Sequence, residues 1–254
     1  MKPVLFHIGQ FPVHSYGVAI MVAFLAGMAL ARARALKAGI EAGKVLDIGI
    51  WTLMAGILGA RVTYIVQDLD YYLKHTNELF SPQFQGLTSF GGLIFGIPVF
   101  IWLTKRSGIA VRTMLDVAAP SFLLGHAIGR IGCLLNGCCH GGLCELPWGV
   151  PVANRAGLYH PAQVYDSLLN LGALALLLFM ERRWTGAGKT FAMMLVLHGL
   201  TRFIYEFWRA GSSSTYWGSL PVTEAQVAAL VVSVGGGILF WRFSRTVSNA
   251  SAPS

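Results

Sequence analysis

Apolar residues fall along this chain in seven long runs, at about 15–35, 45–66, 90–104, 114–135, 161–180, 190–208 and 222–243, with short polar segments between them. A helix of roughly 20 such residues is long enough to cross the hydrocarbon core of a bilayer. The pattern predicts an all-α integral membrane protein with seven transmembrane helices. It forms a single polytopic domain over 1–254, with no room for a separate soluble domain. The third run is short and continues from a semi-polar lead-in between Gln83 and Ser89, which predicts a partly re-entrant segment. Non-helical backbone is tolerated at that depth only when protein or a wet cavity surrounds it. Pro98 and Pro120 lie inside predicted spans, where membrane helices tolerate a kink. Val247 to Ser254 reads as a short disordered end. Near the start, His7, Gly9, Gln10 and Pro12 punctuate the chain and no cleavage site follows a short apolar core. The first run is therefore read as a retained span rather than a signal peptide.

Composition agrees: 55% of residues are hydrophobic and 12% charged, against about 25% charged in soluble domains. A net charge of +8 is compatible with nucleic acid as a partner, but the basic residues follow a membrane topology instead. Arg32, Arg34, Lys37 and Lys44 follow the first run, Lys105, Arg106 and Arg112 the third, Arg182, Arg183 and Lys189 the fifth, and Arg242 and Arg245 the seventh. These twelve of the nineteen basic residues share one face, whereas Lys2, Lys74, Arg155 and Arg209 fall on the other. The positive-inside rule then predicts an external N-terminus and a cytoplasmic C-terminus.

Arg61, Arg130 and Arg202 remain, each within or at the edge of a span and toward its outer end. One such arginine could snorkel to the headgroups. Three at similar depth, in spans two, four and six, point instead to a shared anionic ligand. The planar guanidinium fork suits phosphate, and phospholipid headgroups are the abundant phosphates at this depth. The ligand is then either a bound structural lipid or a lipid substrate.

The densest chemistry lies between Leu124 and Gly142, where His126, Arg130, Asn136, Cys133, Cys138, Cys139 and His140 sit among apolar residues and glycines. His126 and Arg130 are four residues apart, as are His198 and Arg202, so each pair shares a helical face; Glu206 and Arg209 extend the second face outward. A lone histidine on an apolar helix is usually an interior residue with a partner, whereas two parallel His-x-x-x-Arg faces point to at least one histidine that titrates in function. In the loop from Tyr159 to Asp166, Gln163 and Asp166 lie one turn apart and are expected to brace the arginines. Tyr159 and Tyr165 read equally well as an interfacial aromatic belt. The four cysteines Cys133, Cys138, Cys139 and Cys144 lack the two short ligand pairs of structural zinc sites, so no metal is expected. A disulfide and reduced packing cysteines both stay open.

Several segments carry a resemblance that runs nearly end to end: Val13-His14-Ser15-Tyr16-Gly17, Gly59-Ala60-Arg61-Val62-Thr63-Tyr64, Gly129-Arg130-Ile131-Gly132 with Asn136-Gly137, His160-Pro161 with Gln163 and Tyr165, and Arg202-Phe203 with Glu206-Phe207 and Arg209. They resemble the bacterial prolipoprotein diacylglyceryl transferases, and the segment around Arg130 is the most specific match. The resemblance implies transfer of the diacylglyceryl group of phosphatidylglycerol onto the lipobox cysteine of a prolipoprotein signal peptide. A thioether forms and glycerol phosphate leaves, at the bacterial cytoplasmic membrane and without a cofactor. It implies Arg130 and Arg202 as phosphate ligands supported by Asn136 and Glu206. Substrate-binding positions would be His14, Tyr16, Arg61, Tyr64, His126, Asn136, Gly137, His160 and Gln163.

Two departures bear on the chemistry. The family has a His after Ser-Phe, whereas Ser89-Phe90 here runs directly into Gly91-Gly92; and the family's span-six Tyr is here His198. Cys133 also stands where Asn is usual. If the reaction persists, the base has moved, with His198 the first candidate, His126 the second and His14 the third. The alternatives are a paralogue that moves a glycerophospholipid-derived group to another acceptor, or a lipid-binding or transport protein without chemistry. An odd span count without visible repeats weakens the transport reading.

Overall fold

The computed structural model describes residues 2–9, 11–76, 89–153, 155–209 and 222–250. Each apolar run forms one helix. These are α1 (Ser15–Lys37), α2 (Ala42–Gln67), α4 (Ser89–Arg106), α5 (Val111–Asn136), α6 (Ala162–Met180), α7 (Lys189–Arg209) and α8 (Glu224–Ala250), with a short α3 (Leu69–Lys74) after α2. Five of them, α1, α2, α5, α6 and α8, are long and apolar enough to cross a membrane. The other two fall short for visible reasons: α4 has 18 residues and ends on Lys105 and Arg106, and α7 carries His198, Arg202, Glu206 and Arg209. Pro98 and Pro120 lie inside α4 and α5 as expected.

The chain is mostly helical but not wholly so. Strand β1 (Val4–Ile8) pairs antiparallel with β2 (Phe11–His14), and β3 (Val150–Pro151) with β4 (Leu158–Tyr159). The first hairpin forms because Gly9, at φ 61°, takes a turn conformation that side chains disfavour. It is tied to the start of α1 by the Ser15 N–H and hydroxyl, which donate to the Pro3 carbonyl at 2.9 and 3.2 Å. At the other end, α8 continues through Ala250, so Val247 to Ala250 are helical rather than disordered. No glycine or proline interrupts the chain there before Pro253. Residues 251–254, and the part of the expected re-entrant lead-in at 83–88, lie outside the described residues.

The chain forms two compact units, Met1–Ala31 with Leu115–Ser254, and Arg32–Met114. In the first, small residues set the helix spacing, as van der Waals packing between membrane helices requires. A methyl added at Gly132 of α5 would meet the Ala19 Cβ of α1 at 2.6 Å. The α7–α8 contact is closer still in kind, glycine against backbone: a Cβ at Gly199 would lie 2.6 Å from the Ala229 carbonyl, and one at Gly236 2.7 Å from the Ala192 carbonyl. Ala119, Leu123, Ala173, Leu177 and Met194 form a buried cluster among α5, α6 and α7. The Asp116 carboxylate of α5 accepts the Gly188 and Phe191 N–H groups, the latter at 2.8 Å, so it caps the start of α7 where the helix dipole favours an anion.

Gly236→Leu should therefore push α7 and α8 apart and lower the thermal stability of the purified protein. The expected cost is about 1–3 kcal/mol, typical of overpacking. Gly237→Leu, where nothing lies within 4 Å of the new Cβ, should leave the melting temperature unchanged.

In the second unit α2 packs on α4 through Gly59 and Gly91, and Thr63 and Phe95 close over the glycines. Arg61 stands over the Tyr72 ring at 5.5 Å, and Tyr64 meets the same ring edge-on at 6.2 Å.

Candidate functional site

Three helices of the first unit supply the polar residues. From α6 come Asp166 and Asn170, spaced four apart on one face and both buried. Asp166 Oδ2 pairs with Arg130 Nε of α5 at 2.5 Å and with His126 Nε2 at 3.2 Å. Asn170 Nδ2 donates to Asp166 Oδ1 at 2.7 Å and to the Asp166 backbone carbonyl at 2.8 Å. That fixes the amide so that its oxygen faces His198 Nδ1 of α7, 3.1 Å away. An amide oxygen only accepts, so His198 carries its proton on Nδ1 and leaves the Nε2 lone pair open in the neutral ring. Asp166 and Asn170 thus link Arg130 on one helix to His198 on another, and the His126 and His198 rings meet edge-on at 5.0 Å.

A second carboxylate anchors the other arginines. Glu206 on α7 is buried; Arg209 donates to both of its oxygens at 2.8 Å, and Arg202 Nη2 reaches Oε2 at 3.2 Å. The ring of Tyr205, fully buried, lies between two guanidinium groups, with Arg130 Cζ 5.0 Å and Arg202 Cζ 4.7 Å from its centre. Arg202 Nη1 and the Tyr205 hydroxyl are buried and have no hydrogen-bond partner among the described residues.

These groups border a cavity of about 570 Å³ lined by Arg130, Arg155, Arg202, Arg209, Tyr205, Cys139, His140, Gly141, Gly142, Leu143 and Tyr159. Four guanidinium groups line it, Arg130 paired with the buried Asp166 behind it and Arg202 and Arg209 with the buried Glu206, so the wall is positive on balance and suits an anion. Buried donors without partners are rare in folded proteins and mark a place where a ligand would complete the bonding.

One wall of the cavity, Cys139 to Leu143, comes from the segment that follows α5. The Cys138 N–H donates to the Cys133 carbonyl at 3.1 Å and the Gly137 N–H to the Leu134 carbonyl at 3.1 Å, with Gly137 at φ 80°. This is a Schellman cap, whose geometry brings the residue after the glycine back over the one five positions earlier. Cys133 and Cys138 therefore meet. Cys139, also in the left-handed region at φ 62°, turns the chain again, and the three sulfurs lie within 4.8 Å of one another. Gln163 Nε2 donates to the Cys138 carbonyl and holds the turn in place.

Of the expected site residues, the structure gathers His126, Arg130, His198, Arg202 and Glu206 into one network. Asn136 and Gly137 build the cap rather than the cavity wall. Gln163 does not brace an arginine: its amide is spent on the Cys138 carbonyl, and Asp166 alone of that pair meets a guanidinium. His160 exchanges backbone bonds with Gly141 and Gly142 and lines a separate pocket of about 400 Å³ with Tyr165, Trp148 and Trp208. Tyr16 packs beside Gly132, and His14 is exposed at the end of β2. Arg61 and Tyr64 belong to the second unit. Asn170 and Tyr205 were not singled out from sequence. Gln163, Asp166, Ser167 and Asn170 recur at spacings of three, one and three in an apolar helix, and that polar stripe was the available signal for Asn170.

The family model described as prolipoprotein diacylglyceryl transferase matches residues 3–242. A Clostridium tetani protein named phosphatidylglycerol–prolipoprotein diacylglyceryl transferase is 32% identical over 82% of this chain and 86% of its own length. Proteins of the same name from Clostridioides difficile, 31% identical over 92% of both chains, and from Gloeobacter violaceus, 30% identical over 99% of this chain and 96% of its own, are similar throughout. The chain belongs to the prolipoprotein diacylglyceryl transferase family.

Proposed function

We propose that this protein transfers the diacylglyceryl group of phosphatidylglycerol to the lipobox cysteine of a prolipoprotein. The observation that carries the reading is the arginine-rich cavity with two buried donors, Arg202 Nη1 and the Tyr205 hydroxyl, still to be satisfied. A phosphodiester fits that demand in charge and in acceptor oxygens. In the reaction the acceptor sulfur attacks the glyceryl carbon. The C–O bond to phosphate breaks and glycerol phosphate departs with the electron pair. Arg130 and Arg202 hold the charge that builds on the leaving group, and Glu206 fixes Arg202 and Arg209 in place.

His198 is the base, with its open Nε2 as the proton acceptor. It lines a pocket of about 290 Å³ with Gly199, Ala225, Ala228, Ala229 and Val232, and Arg202 borders both this pocket and the larger cavity. Small apolar walls beside the arginine suit an acyl chain. His126 acts through Asp166. His14, Tyr16, Arg61, Tyr64, Asn136, Gly137, His160 and Gln163 complete the substrate-binding set, Gln163 by way of the Cys138 turn. In the membrane, α1, α2 and α4 to α8 form seven spans with the N-terminus outside, in the bacterial inner membrane; the distribution of basic residues supports this orientation.

Incubating the purified protein with phosphatidylglycerol and a lipobox peptide, followed by mass spectrometry, tests the reading. The expected product is a diacylglyceryl adduct on the peptide cysteine. An adduct on another acceptor, or no turnover, would overturn it.

A further inference from the structure

The geometry points to a zinc site at Cys133, Cys138 and Cys139, with a fourth coordination position open to the cavity, where the thiol of the acceptor cysteine binds as thiolate. Three observations lead there. The sulfurs lie within 4.8 Å of one another; around a tetrahedral zinc with Zn–S bonds near 2.3 Å, sulfurs stand about 3.8 Å apart, so a small closing of the three side chains seats the ion. The ligands are preorganised: the Schellman cap sets Cys133 against Cys138, and the Gln163 amide pins the turn from α6. Cys139, an exposed residue of the cluster, lines the arginine cavity. Three protein ligands with one open position are the pattern of catalytic rather than structural zinc.

The number of thiols also decides between partners. Any disulfide within the cluster leaves one thiol over, whereas a metal uses all three. Zinc deprotonates a thiol that coordinates it, and the thiolate is the nucleophile in sulfur chemistry. The acceptor S–H bond then breaks at the metal and its proton passes to His198 Nε2. The zinc-bound sulfur forms the C–S bond while glycerol phosphate leaves with the C–O electron pair. No electron is gained or lost, and the thioether product, a weaker ligand, is released. The metal site stands on the chain's own residues; only the occupant of the fourth position rests on the transferase reading.

The test begins with the full-length protein purified in detergent with its thiols reduced. Elemental analysis should find one zinc per chain. Cys133→Ser and Cys139→Ser should lose it, while Cys144→Ser, a buried cysteine outside the cluster, and His198→Phe should keep it. Should the serine variants fail to fold, removal by a membrane-permeable chelator and restoration with zinc serve instead, read by metal content. X-ray absorption should count three sulfurs on the zinc of the resting protein and four after addition of a lipobox peptide, but three with its Cys→Ser counterpart. Metal-free protein with free thiols, or a disulfide within the cluster found by mass spectrometry, overturns the site. A sulfur count that stays at three overturns thiol activation. A fully metal-loaded wild type that forms no adduct speaks against the transferase reading and leaves the metal site standing.

Discussion

Arg130→Lys and Arg202→Lys are each expected to lower kcat/KM for phosphatidylglycerol by about 10²–10³-fold, the range seen when a donor to developing negative charge is removed, while the protein still inserts and purifies. Each of these arginines bonds in two directions. Arg130 gives Nε to Asp166, leaving its other nitrogens for a ligand; Arg202 gives Nη2 to Glu206 and keeps Nη1 without a partner. A lysine carries the same charge on a single nitrogen and cannot span a buried carboxylate and a phosphate with a rigid fork. It also loses the contact of the guanidinium group with the Tyr205 ring. The loss should lie mainly in kcat if the contact tightens as phosphate departs, and in KM if it only binds the ground state. Full activity in both variants would remove phosphate clamping from the mechanism.

His198→Phe should cut turnover by about 10²–10⁴-fold, the usual contribution of a positioned general base, with a much smaller loss of lipid binding. Phenylalanine preserves the ring that packs edge-on against Phe122 and His126 at 5.0 Å, so the cavity wall survives and the lone pair does not. The chain from Arg130 through Asp166 and Asn170 fixes the His198 tautomer, so Asn170→Leu should act in the same direction by freeing the ring. His198→Tyr separates the base from a mere hydrogen-bond donor. If tyrosine retains near-normal turnover, His198 only bonds the lipid and the base has to be sought at His126 or His14. The geometry favours His198 over His126, because His126 Nε2 is already directed at the Asp166 carboxylate.

What the sequence alone determined is what short-range physics controls. Seven apolar runs became seven helices because hydrophobicity and length act residue by residue, and the two prolines sit within their helices. The pairs His126–Arg130 and His198–Arg202, and the Glu206–Arg209 extension, were visible because helical spacing places them on one face whatever the rest of the chain does. The family resemblance followed from the same local segments.

The tertiary structure decided what joins different helices. His126 and Asp166 are 40 positions apart and Asn170 and His198 are 28 apart, so their bonds depend on which faces of α5, α6 and α7 are turned together. The close approach of α8 to α7 is likewise set by Gly199 and Gly236, residues too small to read as a signal. The same packing took Gln163 from the arginines to the Cys138 carbonyl, turned His160 toward the aromatic pocket and slid Tyr205 between two guanidinium groups. The thiol cluster lies between the two cases. A glycine after Asn136 announces a helix end, but only the left-handed turn at Gly137 and the second at Cys139 bring the three sulfurs together, because side chains five and six positions apart meet only where the helix has ended.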